Sequence, residues 1–194
     1  MKRILLSITG ASGAILGIRA LELLKETGVE THLVISRAAR QTIVSETDWK
    51  VPDVMALADF CYEPEDTGAR IASGSFVTDG MLVVPCSIKT LSGIANSYAD
   101  NLIVRAADVC LKEGRKLLLA VRETPLHPGH LRLMQWAVEA GAVIFPPIPA
   151  FYARPASMEE MVTHLAGRMM LRMGIENKAY KRWDGESISS PDKQ

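Results

Sequence analysis

The chain has 194 residues, 48% of them hydrophobic and 23% charged, with 22 Lys plus Arg against 22 Asp plus Glu. That length suits one domain with a sizeable core, and the even charge balance argues against a nucleic-acid partner or a membrane surface. Cys61, Cys86 and Cys110 show neither CxxC spacing nor clustering with histidine, so the sequence predicts no metal site and reduced thiols in the cytoplasm.

The first apolar run, Arg3 to Thr9, is too short for a signal-peptide core or a membrane span and reads as a buried parallel strand. Ile15, Ile18, Leu21 and Leu24 then fall at helical spacing over Ala14–Lys25, with Gly28 as a stop. A strand over Glu30–Ile35 and a helix over Ala38–Glu46 follow. Prolines and glycines break up residues 47–79, where a short helix near Val54–Ala58, a weak strand near Cys61 and a loop at Ala72-Ser73-Gly74-Ser75 are expected. Met81–Val84 is the clearest apolar strand of the middle. Helices are expected near Ile88–Ser97 and Leu102–Glu113, a strand over Leu117–Val121, a helix over Gly129–Ala140 and a strand over Ala142–Phe145. A long helix closes the pattern at Ser157–Met173, with Ser157 and Glu160 as a capping box. Residues 1–174 thus form the domain, and 175–194 a polar tail carrying Trp183. Apolar strands alternating with helices predict an α/β fold of one domain: a doubly wound parallel sheet, flavodoxin-like or Rossmann-like, with helices on both faces.

Ligands of such sheets sit beyond the carboxyl ends of the strands. The residues expected there are Thr9-Gly10-Ala11-Ser12-Gly13-Ala14, Ser36, Pro85-Cys86-Ser87-Ile88-Lys89-Thr90, Arg122-Glu123-Thr124-Pro125 and Pro146 to Tyr152. Small hydroxyls, glycines and two charges gather on one edge. The Gly10–Gly13 turn opens a helix, whose free N–H groups and positive dipole end suit a phosphate; a plain tight turn fits the same residues. Ser87, Lys89 and Thr90 form a second candidate cradle, with simple N-capping by Ser87 as the alternative. Cys86 reads as a buried core thiol rather than a nucleophile. Arg122-Glu123 is expected to be partly buried, as an arginine for phosphate beside a glutamate for proton transfer, against the alternative of a surface ion pair. Lys112, Arg105 and Arg168 read by default as solvated helix cations, and His127 and His130 as structural or surface histidines.

Thr9 to Ala14, Ala72 to Ser75, Pro85-Cys86-Ser87 with Thr90-Leu91-Ser92, Asn101-Leu102, Arg105 to Asp108, Leu111-Lys112-Glu113, Arg122-Glu123 and Phe151-Tyr152 together resemble, in this order, the flavin prenyltransferases of UbiX or phenylacrylic-acid decarboxylase type. The resemblance runs from Arg3 to Trp183. It implies transfer of the dimethylallyl group of dimethylallyl monophosphate to N5 and C6 of reduced FMN. The product, prenylated FMN, is the cofactor of a separate UbiD-type decarboxylase. The resemblance implies that Gly10, Ala11, Ser12, Gly13, Ser36, Ser87, Ile88, Lys89, Thr90 and Arg122 bind FMN. It gives the prenyl phosphate to Lys112, Glu123, Tyr152 and Arg168, with Glu46, Arg105 and Trp183 lining the site. Homododecamers with active sites at subunit junctions are implied as well. Many relatives carry proline where Val121 stands, which removes no reacting group.

Prenyl transfer commonly uses magnesium held by DDxxD motifs, and the sequence has none. Lys112, Arg122 and Arg168 are therefore expected to stabilise the leaving phosphate without metal, with Glu123 as acid and base and Ser12 orienting the N5 side. A nicotinamide-dependent short-chain reductase would need Tyr-x-x-x-Lys, yet Tyr62, Tyr98, Tyr152 and Tyr180 are followed four residues later by Asp66, Leu102, Ala156 and Asp184. An FMN-dependent cysteine decarboxylase would need Pro-x-Met-Asn in the late loop, where Pro147 to Tyr152 stand instead. A flavin carrier or assembly partner of a decarboxylase is the non-catalytic alternative.

Overall fold

The computed structural model describes residues 1–183 and 185. Its elements in chain order are β1 (Arg3–Ile8), α1 (Ala14–Glu26), β2 (Glu30–Ile35), α2 (Arg37–Glu46), α3 (Val51–Met55), β3 (Phe60–Tyr62), β4 (Gly80–Cys86), α4 (Ile88–Ala95), α5 (Leu102–Lys112), β5 (Lys116–Val121), α6 (Pro128–Glu139), β6 (Val143–Ile144) and α7 (Met158–Arg172). The six strands lie in the order β3-β2-β1-β4-β5-β6, and every pair is parallel. This is the doubly wound sheet expected from the sequence, in the strand order of Rossmann-like folds. The order reverses between β1 and β4, so the switch point lies at their carboxyl ends.

Strand side chains alternate between two cores. Ile4, Leu6, Ile8, Leu82, Val84, Leu118 and Ala120 pack beneath α1, α2, α3 and α7. Leu5, Met81, Val83, Leu117, Leu119 and Val121 pack beneath α4, α5 and α6. Gly17 lets α1 approach the sheet, because a Cβ there would lie 2.3 Å from the Val84 carbonyl oxygen.

Four expectations change. The strand predicted to end at Val84 continues to Cys86 and takes in Pro85. Proline has no ladder N–H, and the β4–β5 register shifts between Val83 and Cys86 to accommodate it. The bulge also reverses the alternation, so Cys86 falls in the same core as Met81 and Val83. The helix expected near Val54–Ala58 instead begins at Val51, with Pro52 in its first turn. β6 has two residues rather than four, although Phe145 still donates its N–H to the Leu119 carbonyl at 2.9 Å. The Ser157–Glu160 box forms in part: Ser157 Oγ accepts from Glu160 N at 3.1 Å, but the Glu160 carboxylate reaches Ala156 N at 2.7 Å.

Beyond α7 the chain folds back along it. Asn177 Nδ2 donates to the Gly167 carbonyl at 3.0 Å, and a Cβ on Gly167 would stand 2.9 Å from the Tyr180 backbone nitrogen. Trp183 is described; the rest of the predicted tail, apart from 185, lies outside the described residues.

Candidate active site

Three chain segments meet at the switch point. Thr9 directly follows β1, and its Oγ1 donates to the Pro85 carbonyl at 2.7 Å while accepting from Ser87 N at 2.8 Å. This buried hydroxyl ties the end of β1 to the end of β4. Ser87 caps α4, its Oγ accepting from Thr90 N at 3.3 Å and lying 3.2 Å from Thr90 Oγ1. Ser36 caps α2 and accepts from Ala39 N at 3.1 Å. Gly10 fits beneath α2, since a Cβ on it would lie 2.4 Å from that of Ala38.

A cavity of about 910 Å³ opens at this point, lined by Gly10, Ser36, Ser87, Lys89, Thr90 and Arg37 among others. Its size is that of small-molecule and cofactor sites. Five of the predicted cofactor-binding residues line one hollow. Ser12 and Gly13 stand at the neighbouring turn, and Ile88 follows Ser87 at the start of α4. The donor set suits a phosphate-bearing ligand: capping hydroxyls, two helix N-termini, Lys89, and Arg37, which pairs at 2.6 Å with Glu65 on the same wall.

The sequence assigned a phosphate to the helix end after Gly13. The structure gives that position to Glu46, whose Oε2 accepts from Gly13 N at 2.7 Å and from Ala14 N at 3.3 Å. Gly13 itself sits at φ 99°, a left-handed conformation that permits the turn. The first amides of α1 are thus occupied by a carboxylate of the chain, and the phosphate-type donors that remain on the cavity wall belong to α2 and α4.

The other predicted residues fall elsewhere. Arg122 and Glu123 follow β5 on the same edge of the sheet, and both are exposed rather than partly buried; Glu123 Oε1 accepts from Thr124 N at 2.9 Å. The apolar neighbours suggested burial, but every residue from Arg122 to Pro128 is exposed, although Arg122 N still donates to the Cys86 carbonyl at 3.1 Å. Lys112 closes α5, four residues before β5 begins, at the opposite edge. The six residues of β5 span about 20 Å at ~3.3 Å each, so one chain cannot bring Lys112 to Arg122 and Glu123. Lys112 Nζ pairs with Glu113 at 2.6 Å, holding that carboxyl below its ordinary value, and both touch the space above Gly74. Arg105 Nε donates to the Ala72 carbonyl at 3.1 Å and its Nη1 pairs with Asp108 at 3.0 Å. The Ala72–Ser75 loop is therefore tied to α5 and does not line the switch-point hollow.

A third group forms where the tail meets α7. Tyr152 Oη lies 2.7 Å from Tyr180 Oη, the Tyr152 ring is 5.5 Å from Trp183, and the Arg168 guanidinium stands 5.1 Å over the Tyr180 ring. Tyr152, Arg168 and Trp183, which the resemblance gives to one site, thus stand in one group with Tyr180. Reading the sequence missed Thr9 as a clamp, Arg115 as the residue holding the Gly74 and Phe76 carbonyls, and Tyr180 at the centre of the third group. A threonine ending a strand gives some hint of the first; an arginine in a turn and a tyrosine in a polar tail give none. His127 is structural, capping α6 by accepting from Gly129 N at 3.0 Å. Cys86 is fully buried and burial pushes its thiol up, which fits a core residue. Among the described residues, no three His, Cys, Asp or Glu side chains are arranged to hold a metal.

A doubly wound sheet with this hollow at its switch point defines an α/β protein built around a phosphate-bearing ligand. Residues 1–163 match the flavoprotein family model. The chain is 54% identical over 188 residues to the flavin prenyltransferase UbiX of Escherichia coli strain K12, covering 95% of this chain and 100% of that one. It superposes with TM-score 0.94 and 48% identity on AnUbiX (PadA1), solved with FMN and dimethylallyl pyrophosphate, over 96% of this chain and 99% of that one. A dodecameric FMN-dependent UbiX-like decarboxylase from Escherichia coli O157:H7 matches at TM-score 0.92 and 49% identity, over 94% and 100% of the two chains. The chain belongs to the flavoprotein family and, within it, to the UbiX-type flavin prenyltransferases.

Proposed function

We propose that this chain transfers the dimethylallyl group of dimethylallyl monophosphate to N5 and C6 of reduced FMN, making prenylated FMN for a UbiD-type decarboxylase. The observation that carries the reading is the hydroxyl- and cation-lined hollow at the β1–β4 switch point. Ser36, Ser87, Lys89 and Thr90 would hold the FMN phosphate and ribityl chain, with Gly10 to Gly13 and Ile88 along the backbone and Arg122 at the rim. When bound, reduced FMN supplies the nucleophile and its electron density.

The chain's residues supply position and charge. Lys112, Arg122 and Arg168 stabilise negative charge developing on the phosphate as the allylic C–O bond breaks, in the role that magnesium fills elsewhere. Tyr152 donates a hydrogen bond to that phosphate. Glu123, exposed and free of an ion pair among the described residues, is the proton carrier. Ser12 orients the N5 side, and Glu46, Arg105 and Trp183 line the site. On this reading the separation of Lys112 from Glu123 means that the site is completed between copies, in an assembly of the dodecameric kind that the O157:H7 relative forms.

The reading places the chain in the cytoplasm. Its three cysteines are free thiols, and no helix of the described residues is long and apolar enough to cross a membrane. Anaerobic incubation with reduced FMN and either dimethylallyl phosphate or its diphosphate, followed by mass analysis of the flavin, tests the function. A gain of one five-carbon prenyl unit, greater with the monophosphate, is expected. Unchanged flavin mass with FMN bound would overturn the reading.

A further inference from the structure

Tyr180 meets two of the groups assigned above to the prenyl phosphate, Tyr152 and Arg168. Its hydroxyl lies 2.7 Å from that of Tyr152, and the Arg168 guanidinium sits 5.1 Å above its ring. The residue is fixed from several sides. Its ring lies 4.7 Å from that of His164, which is buried on α7. The next carbonyl, that of Lys181, stands 3.3 Å from His164 Nε2. Its backbone nitrogen rests against Gly167, where any side chain would intrude.

A phenol has one hydrogen to give and an oxygen that also accepts, whereas a phosphate dianion only accepts. When Tyr152 gives its hydrogen to a phosphate, its oxygen is left as an acceptor at 2.7 Å from the Tyr180 hydroxyl. Tyr180 can then donate, and a hydrogen-bonded chain of this kind strengthens its links by roughly 10–30% each. Without that donor, the Tyr152 hydrogen has the Lys181 carbonyl at 3.4 Å as an alternative partner.

We propose that Tyr180 is a positioning residue for the prenyl donor: its hydroxyl donates to Tyr152 and turns that residue's hydrogen toward the phosphate, while its ring seats the Arg168 guanidinium. The inference rests on the assignment of Tyr152 and Arg168 to the phosphate under the proposed function.

Steady-state kinetics of the full chain, varying dimethylallyl phosphate at saturating reduced FMN, test it. Tyr180→Phe keeps the ring and removes the hydroxyl. Its KM for dimethylallyl phosphate should rise about five-fold, the value of one neutral hydrogen bond, with kcat and FMN affinity unchanged. Tyr180→Leu, which also unseats Arg168, should raise KM further. In a Tyr152→Phe background, Tyr180→Phe should have no effect. If Tyr152→Phe raises KM but Tyr180→Phe does not, or if the Tyr180→Phe effect persists undiminished without the Tyr152 hydroxyl, the inference falls and the phosphate assignment stands. If Tyr152→Phe itself leaves KM unchanged, the assignment falls and the inference with it.

Discussion

Replacing Glu46 tests the electrostatics of the glycine turn. Its carboxylate accepts two backbone hydrogen bonds, at 2.7 and 3.3 Å, from the first amides of α1. A carboxylate at an exposed helix N-terminus contributes ~0.3–1 kcal/mol through the dipole, and losing a cap costs ~0.5–2 kcal/mol. The two overlap, so Glu46→Ala should cost about 1–2 kcal/mol. For a chain of this size that lowers the melting temperature by roughly 3–6 °C. Glu46→Gln keeps an acceptor oxygen and should lose about half as much. Glu46→Ala also leaves the Gly13 and Ala14 amides facing an anion-receptive helix end. Sulfate should therefore raise the melting temperature of Glu46→Ala by more than that of the unaltered chain, whose remaining anion-type donors lie on the switch-point hollow. Circular dichroism melts at one protein concentration, with and without sulfate, measure both effects. A variant that melts with the parent, or sulfate raising both equally, would refute the reasoning.

Lys112→Met and Glu123→Gln should each bind FMN and each lose prenylation. Co-assembled, the two should regain part of the activity, because Lys112 and Glu123 lie at opposite ends of β5 and, on the proposed function, act together only across copies; mixed oligomers as inactive as their parents would contradict that reading. Gly10→Ala forces a Cβ to 2.4 Å from that of Ala38, and should cost ~1–3 kcal/mol of stability and weaken FMN binding by moving the Ser36 end of α2, measurable by thermal melts and flavin titration. Glu30 is held at about 2, below its ordinary 4.5, by hydrogen bonds from Arg3 and His32. Its contribution to stability is complete above pH 4.5 and is lost as pH falls toward 2, so denaturant midpoints of Glu30→Gln should lie below the parent at neutral pH and converge with it across that window.

Patterning exposes much of this protein in its sequence. Arg3–Thr9 and Met81–Val84 read as buried strands because apolar runs that short can satisfy little else, and Ser87 and Ser157 mark helix starts by the chemistry of capping. The hollow was legible for the same reason: glycines and hydroxyls directly after strands are local signals. Tertiary contacts were not. Glu46 lies 33 residues from Gly13, and nothing near either residue announces their bond. Pro85 within a central strand defeats propensity reasoning, since the register shift that admits it belongs to the β4–β5 pair. Arg122-Glu123 read as half-buried from its apolar neighbours, but exposure begins directly after Val121 and runs to Pro128. The Tyr152–Tyr180 contact joins a late loop to a polar tail whose composition carries no periodicity at all.

The distance between Lys112 and Arg122 along β5 has a thermodynamic side. If Lys112 and Arg122 share one phosphate as proposed, each chain folds without crowding these cations together, and their mutual repulsion arises only when copies join. An anion bridging them would cancel that repulsion. Donor binding and subunit association should accordingly be linked by mass action, each tightening the other by the same factor.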